Sequence, residues 1–114
     1  MAQQGVFTLP PRINFGVTAL TNAAYQQNIT VYVDNEPRAT FSGSGVDDRN
    51  LGTRGINSGA GAVRIAVTVN GKQSDLVSSQ VVLANRLNLA LVGAEDGADQ
   101  DYNDSIVVLN WPLG

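Results

Sequence analysis

Apolar and polar residues alternate with period two through most of the chain. Ile29, Val31 and Val33 alternate with Asn28, Thr30 and Tyr32, and Val63, Ile65, Val67 and Val69 alternate with Arg64, Ala66 and Thr68. Leu87, Leu89 and Leu91 alternate with Asn88 and Ala90. Successive side chains of a strand point to opposite faces, so each run predicts a strand with one set buried. β-Branched residues dominate these runs, as a pleated, half-buried surface favours. Ile106-Val107-Val108-Leu109 is continuous instead, and predicts a strand over Ser105–Asn110 that is covered on both faces.

The breaks between runs carry turn chemistry. Asn70-Gly71 follows an alternating run, and both residues tolerate the positive φ of a type I′ hairpin turn. Asp34-Asn35, Ser42-Gly43-Ser44-Gly45 and Ser58-Gly59-Ala60-Gly61 predict further turns. Ser78–Ala90 reads as two β-runs broken near Ala84-Asn85, and no helical stripe of useful length exists. Seven to nine short strands with turns about every ten residues predict an all-β chain. The expected fold is an antiparallel β-sandwich of about nine strands with Greek-key-like connections, forming one domain over residues 1–114.

Composition then removes whole classes of function. The 114 residues contain no Cys, so disulfides, thiol nucleophiles and zinc–thiolate sites are excluded. They contain no His, which removes the commonest general base and transition-metal ligand. The net charge of −3 disfavours nucleic acid and anionic membranes as partners. No apolar stretch is long enough to insert in a bilayer. Met1-Ala2-Gln3-Gln4 shows no secretory signal, so the expected location is cytoplasmic, with any export by a route the sequence does not display.

Charge placement changes the picture more than charge total. Five of the ten acidic residues, Glu95, Asp96, Asp99, Asp101 and Asp104, fall within ten positions, and no Lys or Arg follows Arg86. At ~5 Å and an effective dielectric near 20, each like-charged pair costs on the order of 3 kcal/mol. The loop is bracketed by strand-like segments, so it cannot relieve this by spreading. A hard cation relieves it. Clustered carboxylates with an amide oxygen, and no His or Cys, select Ca²⁺ over zinc or copper. The loop is not an EF-hand: Asp99, Asp101 and Asn103 match the first three ligand positions, but Asp104 stands where the turn glycine belongs and Asn110 where the bidentate Glu belongs. Spacing alone leaves one ion or two open.

Four stretches together carry a resemblance. They are Gln4-Gly5-Val6-Phe7-Thr8-Leu9-Pro10, Asn70-Gly71-Lys72-Gln73-Ser74-Asp75-Leu76-Val77-Ser78, the acidic run Val92–Asp104, and Asn110-Trp111-Pro112-Leu113-Gly114. The chain resembles the PA-IIL (LecB) type of calcium-dependent bacterial lectin along its whole length. The resemblance implies a nine-stranded sandwich that binds fucose or mannose through two adjacent Ca²⁺ ions. Glu95, Asp99, Asp101 and Asp104 then match the ligands of one ion. Asp101, Asn103 and Asp104, with the backbone carbonyl of Asn22, match those of the other, so Asp101 and Asp104 bridge. The last ligand implied is a neighbouring subunit's terminal carboxylate, at Gly114 here, which makes the expected unit a dimer sharing C-termini and then a dimer of dimers. Asp96 matches an acceptor for a sugar hydroxyl.

The resemblance places specificity in the three residues after Asn22, here Ala23-Ala24-Tyr25. Ala23 offers no hydroxyl where a Ser would bond the sugar, which implies a mannose preference. The sugar-contacting set is thus Asn22, Ala23, Ala24, Glu95, Asp96, Asp99, Asp101, Asp104 and Gly114. Two other functions compete. A glycoside hydrolase would need one carboxyl with a raised pKa in a water-excluding cleft, and calcium holds carboxylates ionised and occupied, so no enzyme is expected. A purely structural module would use calcium as a staple and bind no sugar.

Overall fold

The alternating runs become strands because their apolar sets share one interior. The computed structural model describes residues 3–97 and 101–113. Among them lie eight strands and no helix: β1 (Val6–Thr8), β2 (Asn14–Val33), β3 (Glu36–Asn57), β4 (Ala62–Val69), β5 (Lys72–Gln73), β6 (Asp75–Leu83), β7 (Leu87–Glu95) and β8 (Ser105–Trp111). All pair antiparallel in one sheet of order β1-β4-β2-β8-β7-β6, with β3 also on β2 and β5 also on β4.

β2 organises the fold by changing neighbours part-way along. Gly16–Thr21 pairs with β8, whereas Asn28–Val33 pairs with β4. β3 follows β2 through both halves. The sheet therefore curls on itself, and its two layers face each other across a common core. Phe15, Val17 and Ala19 from one half of β2 meet Ile29, Val31 and Val33 from the other half in a single apolar cluster. Val63, Ile65 and Val67 of β4 and Val107, Leu109 and Trp111 of β8 complete it. Each such side chain contributes roughly 1.5–3 kcal/mol by leaving water.

The hairpin turns follow their chemistry. Asp34 and Asn35 have φ of 53° and 65°, and Asn70 and Gly71 have φ of 53° and 79°, the conformation of a type I′ turn. Ala84 and Asn85, at 52° and 55°, divide β6 from β7 where the break is expected.

Three expectations need correction. Ser42-Gly43-Ser44-Gly45 is no turn: it runs through β3, with Gly45 at φ 140° beside an irregularity in the β2–β3 register. The long strands β2 and β3 bend at such bulges, so eight strands do the work expected of about nine shorter ones. In β7 the inward set is Ala90, Val92 and Ala94, while Leu91 is exposed. Register decides this, because Ala90 pairs with Leu109 and Val92 with Val107, and directly opposed residues share a face. β8, finally, is sealed on one face only. Val107, Leu109 and Trp111 are buried, but Ile106 and Val108 are half-buried on an outer face shared with exposed Val77 and Leu91.

Candidate functional site

The acidic loop joins β7 to β8, and the ladder pins both of its ends. Ala94 pairs with Ser105, and the Asp104 N–H donates to the Ala94 carbonyl at 3.0 Å. This brings Glu95, the last residue of β7, level with Asp104, which immediately precedes β8. Carboxylate oxygens of Glu95, Asp96 and Asp104 lie within 4.8 Å of one another, the one such acidic group among the described residues. Glu95 is buried at 3% exposure, and its Oε1 accepts the Tyr102 N–H at 3.2 Å. Asp104 Oδ2 accepts the Asp96 N–H at 2.9 Å.

The site stores electrostatic cost. The Asp104 carboxyl is raised to about 6, chiefly because burial strips water from its charged form. Hydrogen bonds that the neutral Asp104 hydroxyl donates to the Glu95 and Asp96 carboxylates, and the Asp96 charge, push the same way, while the Asp96 N–H, donating to the ionised form, opposes them. Hard oxygen donors held close together against their own repulsion are the donor set that suits Ca²⁺.

β2 supplies the other wall. Its register with β3 slips between Thr21 and Ala23 and again between Ala23 and Gln27. The bulged segment leans on the loop: the Asn22 N–H donates to the Asp104 carbonyl at 3.0 Å, and Thr21 Oγ1 donates to the same oxygen at 2.7 Å. Asn22 Nδ2 donates to the Asn103 carbonyl at 3.2 Å. Ala23 is buried, and Ala24 and Tyr25 are exposed. Tyr25 and Asp96 line a cavity of about 420 Å³ together with Asn70 and Lys72 of the β4–β5 hairpin and Ser74 just after it.

The structure thus brings Asn22, Glu95, Asp96 and Asp104 together, with Ala23 next to Asn22 on β2. Asp96, expected only as a sugar acceptor, joins the carboxylate group itself. Asp101 and Asn103 are exposed on the same loop, and Asp101 lies outside the three-carboxylate group. Asp99 and Gly114 fall outside the described residues.

Two contributors were missed. Asp48 of β3 locks the Asn22 side chain at two points: its Oδ1 accepts from Asn22 Nδ2 at 2.7 Å, and its N–H donates to Asn22 Oδ1 at 2.7 Å. Nothing local signals this pairing across 26 positions. Gln27 is fully buried, and here a signal existed. It sits in phase with Ile29, Val31 and Val33, as an amide on a core face.

The family model of fucose-binding lectin II (PA-IIL) matches residues 7–113. The chain belongs to this lectin family. Its members bind carbohydrate without catalysis, so the chain is a lectin and not an enzyme. Three solved structures are similar throughout. The Chromobacterium violaceum lectin CV2L, solved in complex with alpha-methyl-fucoside, is 72% identical with a TM-score of 0.97, over 99% of this chain and 100% of its own. A high-affinity mannose-binding lectin of Ralstonia solanacearum is 65% identical with a TM-score of 0.97 over the same shares. The C-terminal domain of the BC2L-C lectin of Burkholderia cenocepacia is 53% identical with a TM-score of 0.93, over 100% of both chains. No curated protein matches the chain significantly.

Proposed function

We propose that the chain binds terminal mannose- or fucose-type residues of glycans through two adjacent Ca²⁺ ions, with mannose preferred. The observation that carries this is the convergence of Glu95, Asp96 and Asp104, in a family whose similar members include a mannose-binding lectin and a fucoside complex. Glu95, Asp101, Asn103, Asp104 and the Asn22 carbonyl hold the ions, with Asp99 and Gly114 completing the set. When bound, calcium offers spare coordination positions to vicinal hydroxyls, which are hard oxygen donors like the water they replace. Asp96 accepts a hydrogen bond from a sugar hydroxyl, and the Ala23 methyl leaves the sugar edge without a partner that would favour fucose.

A second copy of the chain belongs to this reading. If one chain's Gly114 completes its neighbour's site, the minimum unit is a two-fold dimer. Its apolar outer face, with Val77, Leu91 and Ile106, supports association. Several sites per assembly then give avidity toward glycan-bearing surfaces.

Calorimetry tests the reading. Methyl α-mannoside is expected to give saturable heat in calcium, methyl α-fucoside weaker heat, and EDTA to abolish both. Heat that survives EDTA, or calcium binding without any sugar response, overturns it; the latter result is that of a calcium-stapled structural module.

A further inference from the structure

Five polar or charged side chains are buried among the described residues: Thr21, Gln27, Ser58, Glu95 and Ser105. Ser58 fastens a distant loop, its hydroxyl donating to the Pro10 carbonyl at 2.7 Å. The other four belong to the elements that form the site. Thr21 and Glu95 already have roles there. Gln27 and Ser105 are not themselves expected to meet metal or sugar, and both are 0% exposed.

An interior amide is an expensive way to fill space. Burying it unpaired forfeits its hydrogen bonds to water, a cost that an apolar side chain of the same volume avoids. Gln27 meets it with two bonds that face opposite ways. Its Nε2 donates to the Tyr25 carbonyl at 3.1 Å, and its Oε1 accepts from Ser105 Oγ at 2.9 Å.

The Tyr25 carbonyl lies where the ladder register is interrupted. β2 pairs with β3 at Ala23–Gly45 and next at Gln27–Gly43, so Ala24, Tyr25 and Gln26 oppose Ser44 alone. Pairing with β8 stops at Thr21, and pairing with β4 starts at Asn28. Ser105, at the other end, is the first residue of β8 and pairs with both Thr21 and Ala94. It follows Asp104 directly.

We infer that Gln27 is a positioning residue for sugar selectivity: by bonding Tyr25 on one side and Ser105 on the other, it fixes the Ala23–Tyr25 bulge relative to the acidic loop. The inference rests on the sugar-binding reading above. It adds that selectivity is set by an amide that touches neither sugar nor ion. The carboxylates keep their own ladder and loop bonds when the amide is lost, so cation binding and sugar discrimination separate. A role in packing alone would not separate them.

The test uses the full chain with Gln27→Met, which conserves volume and removes both bonds, and Ser105→Ala, which removes only the far anchor. Calcium affinity, melting temperature, and affinities for methyl α-mannoside and methyl α-fucoside at saturating calcium are measured for each. Gln27→Met is expected to weaken mannoside by about tenfold, the loss of one to two hydrogen bonds' worth of positioning. The mannoside-to-fucoside ratio is expected to shift by about threefold or more, with the calcium midpoint within about twofold of the parent. Ser105→Ala shifts the ratio the same way by less, and decides the matter if Gln27→Met does not fold. An unchanged ratio in the folded variants, or equal losses for both sugars that track calcium affinity, overturns the role of Gln27. A parent chain without calcium-dependent sugar heat overturns the sugar-binding reading itself, and this inference with it.

Discussion

Asp104→Asn is expected to abolish calcium-dependent sugar binding while leaving the metal-free chain as stable as the parent, or more so, at neutral pH. The physical reason is the position of this carboxyl. It bears a charge that its surroundings disfavour, as its rise from 3.8 to about 6 records. A carboxyl with a raised folded value contributes stability that is present below about pH 4 and lost as pH climbs through about 6. The parent in EDTA should therefore melt lower at pH 7.5 than at pH 5 on account of this group, and the Asn variant should lose that difference. Asn keeps an oxygen for the Asp96 N–H, so local geometry has no reason to change.

Calcium binding takes the opposite sign. Only the ionised carboxylate is a good ligand, so affinity in the parent should rise with pH up to about 6, with proton release on binding below that. Removing a carboxylate proposed to hold calcium should cost at least about a hundredfold in calcium affinity, beyond the 10–100-fold typical of losing an outer-shell partner. Calcium titration and thermal melts in EDTA, each at both pH values, check the pair of effects. A variant that binds calcium like the parent would remove Asp104 from the metal site.

Gly93→Ala is expected to damage the site without altering any ligand. A Cβ at Gly93 collides with the Tyr102 carbonyl oxygen and packs at 3.4 Å against Val77 Cγ2. A backbone carbonyl cannot swing aside as a side chain can, and Tyr102 already holds φ at 54°. The loop must shift, taking Asp101 and Asn103 with it and pulling the Tyr102 N–H from Glu95 Oε1. Overpacking of this kind costs roughly 1–3 kcal/mol, so the fold survives with a lower melting temperature. Calcium affinity should fall by more than about tenfold, since a ligand displaced by even an ångström loses most of its worth. Unchanged calcium affinity in a folded Gly93→Ala chain would show that Tyr102 and its neighbours do not position the ligands.

These variants also mark how far local reading reaches. The second half of β2 and the whole of β4 were legible because period-two apolar sets need only their own segment to be seen, and β8 was legible as a continuous apolar run. The phase of β7 was not. Leu87, Leu89 and Leu91 look like the better core set, yet pairing of Ala90 and Val92 with Leu109 and Val107 turns them outward. Gly45 read as a turn because glycine permits both a reversal and a bulge, and only the strand opposite decides between them. At the site, the charge density of Glu95–Asp104 led to the expectation of a cation, and Glu95 and Asp104 do meet in a carboxylate group that could hold one; the resemblance named the lectin family that the match over residues 7–113 bears out.

By itself, the order of residues determined that this chain is β throughout, that its acidic loop is tethered between two strands, and that thiol and imidazole chemistry are absent. Those properties are local or compositional, so no partner residue is needed to express them. Folding decided which distant groups meet. Thr21 reaches Asp104 across 83 positions, Gln27 reaches Ser105 across 78, and Asp48 locks Asn22 across 26. Each depends on where a bulge lets β2 leave one neighbour for another. That point is set by the balance of pairings over the whole sheet, and no single segment carries enough of that balance to reveal it.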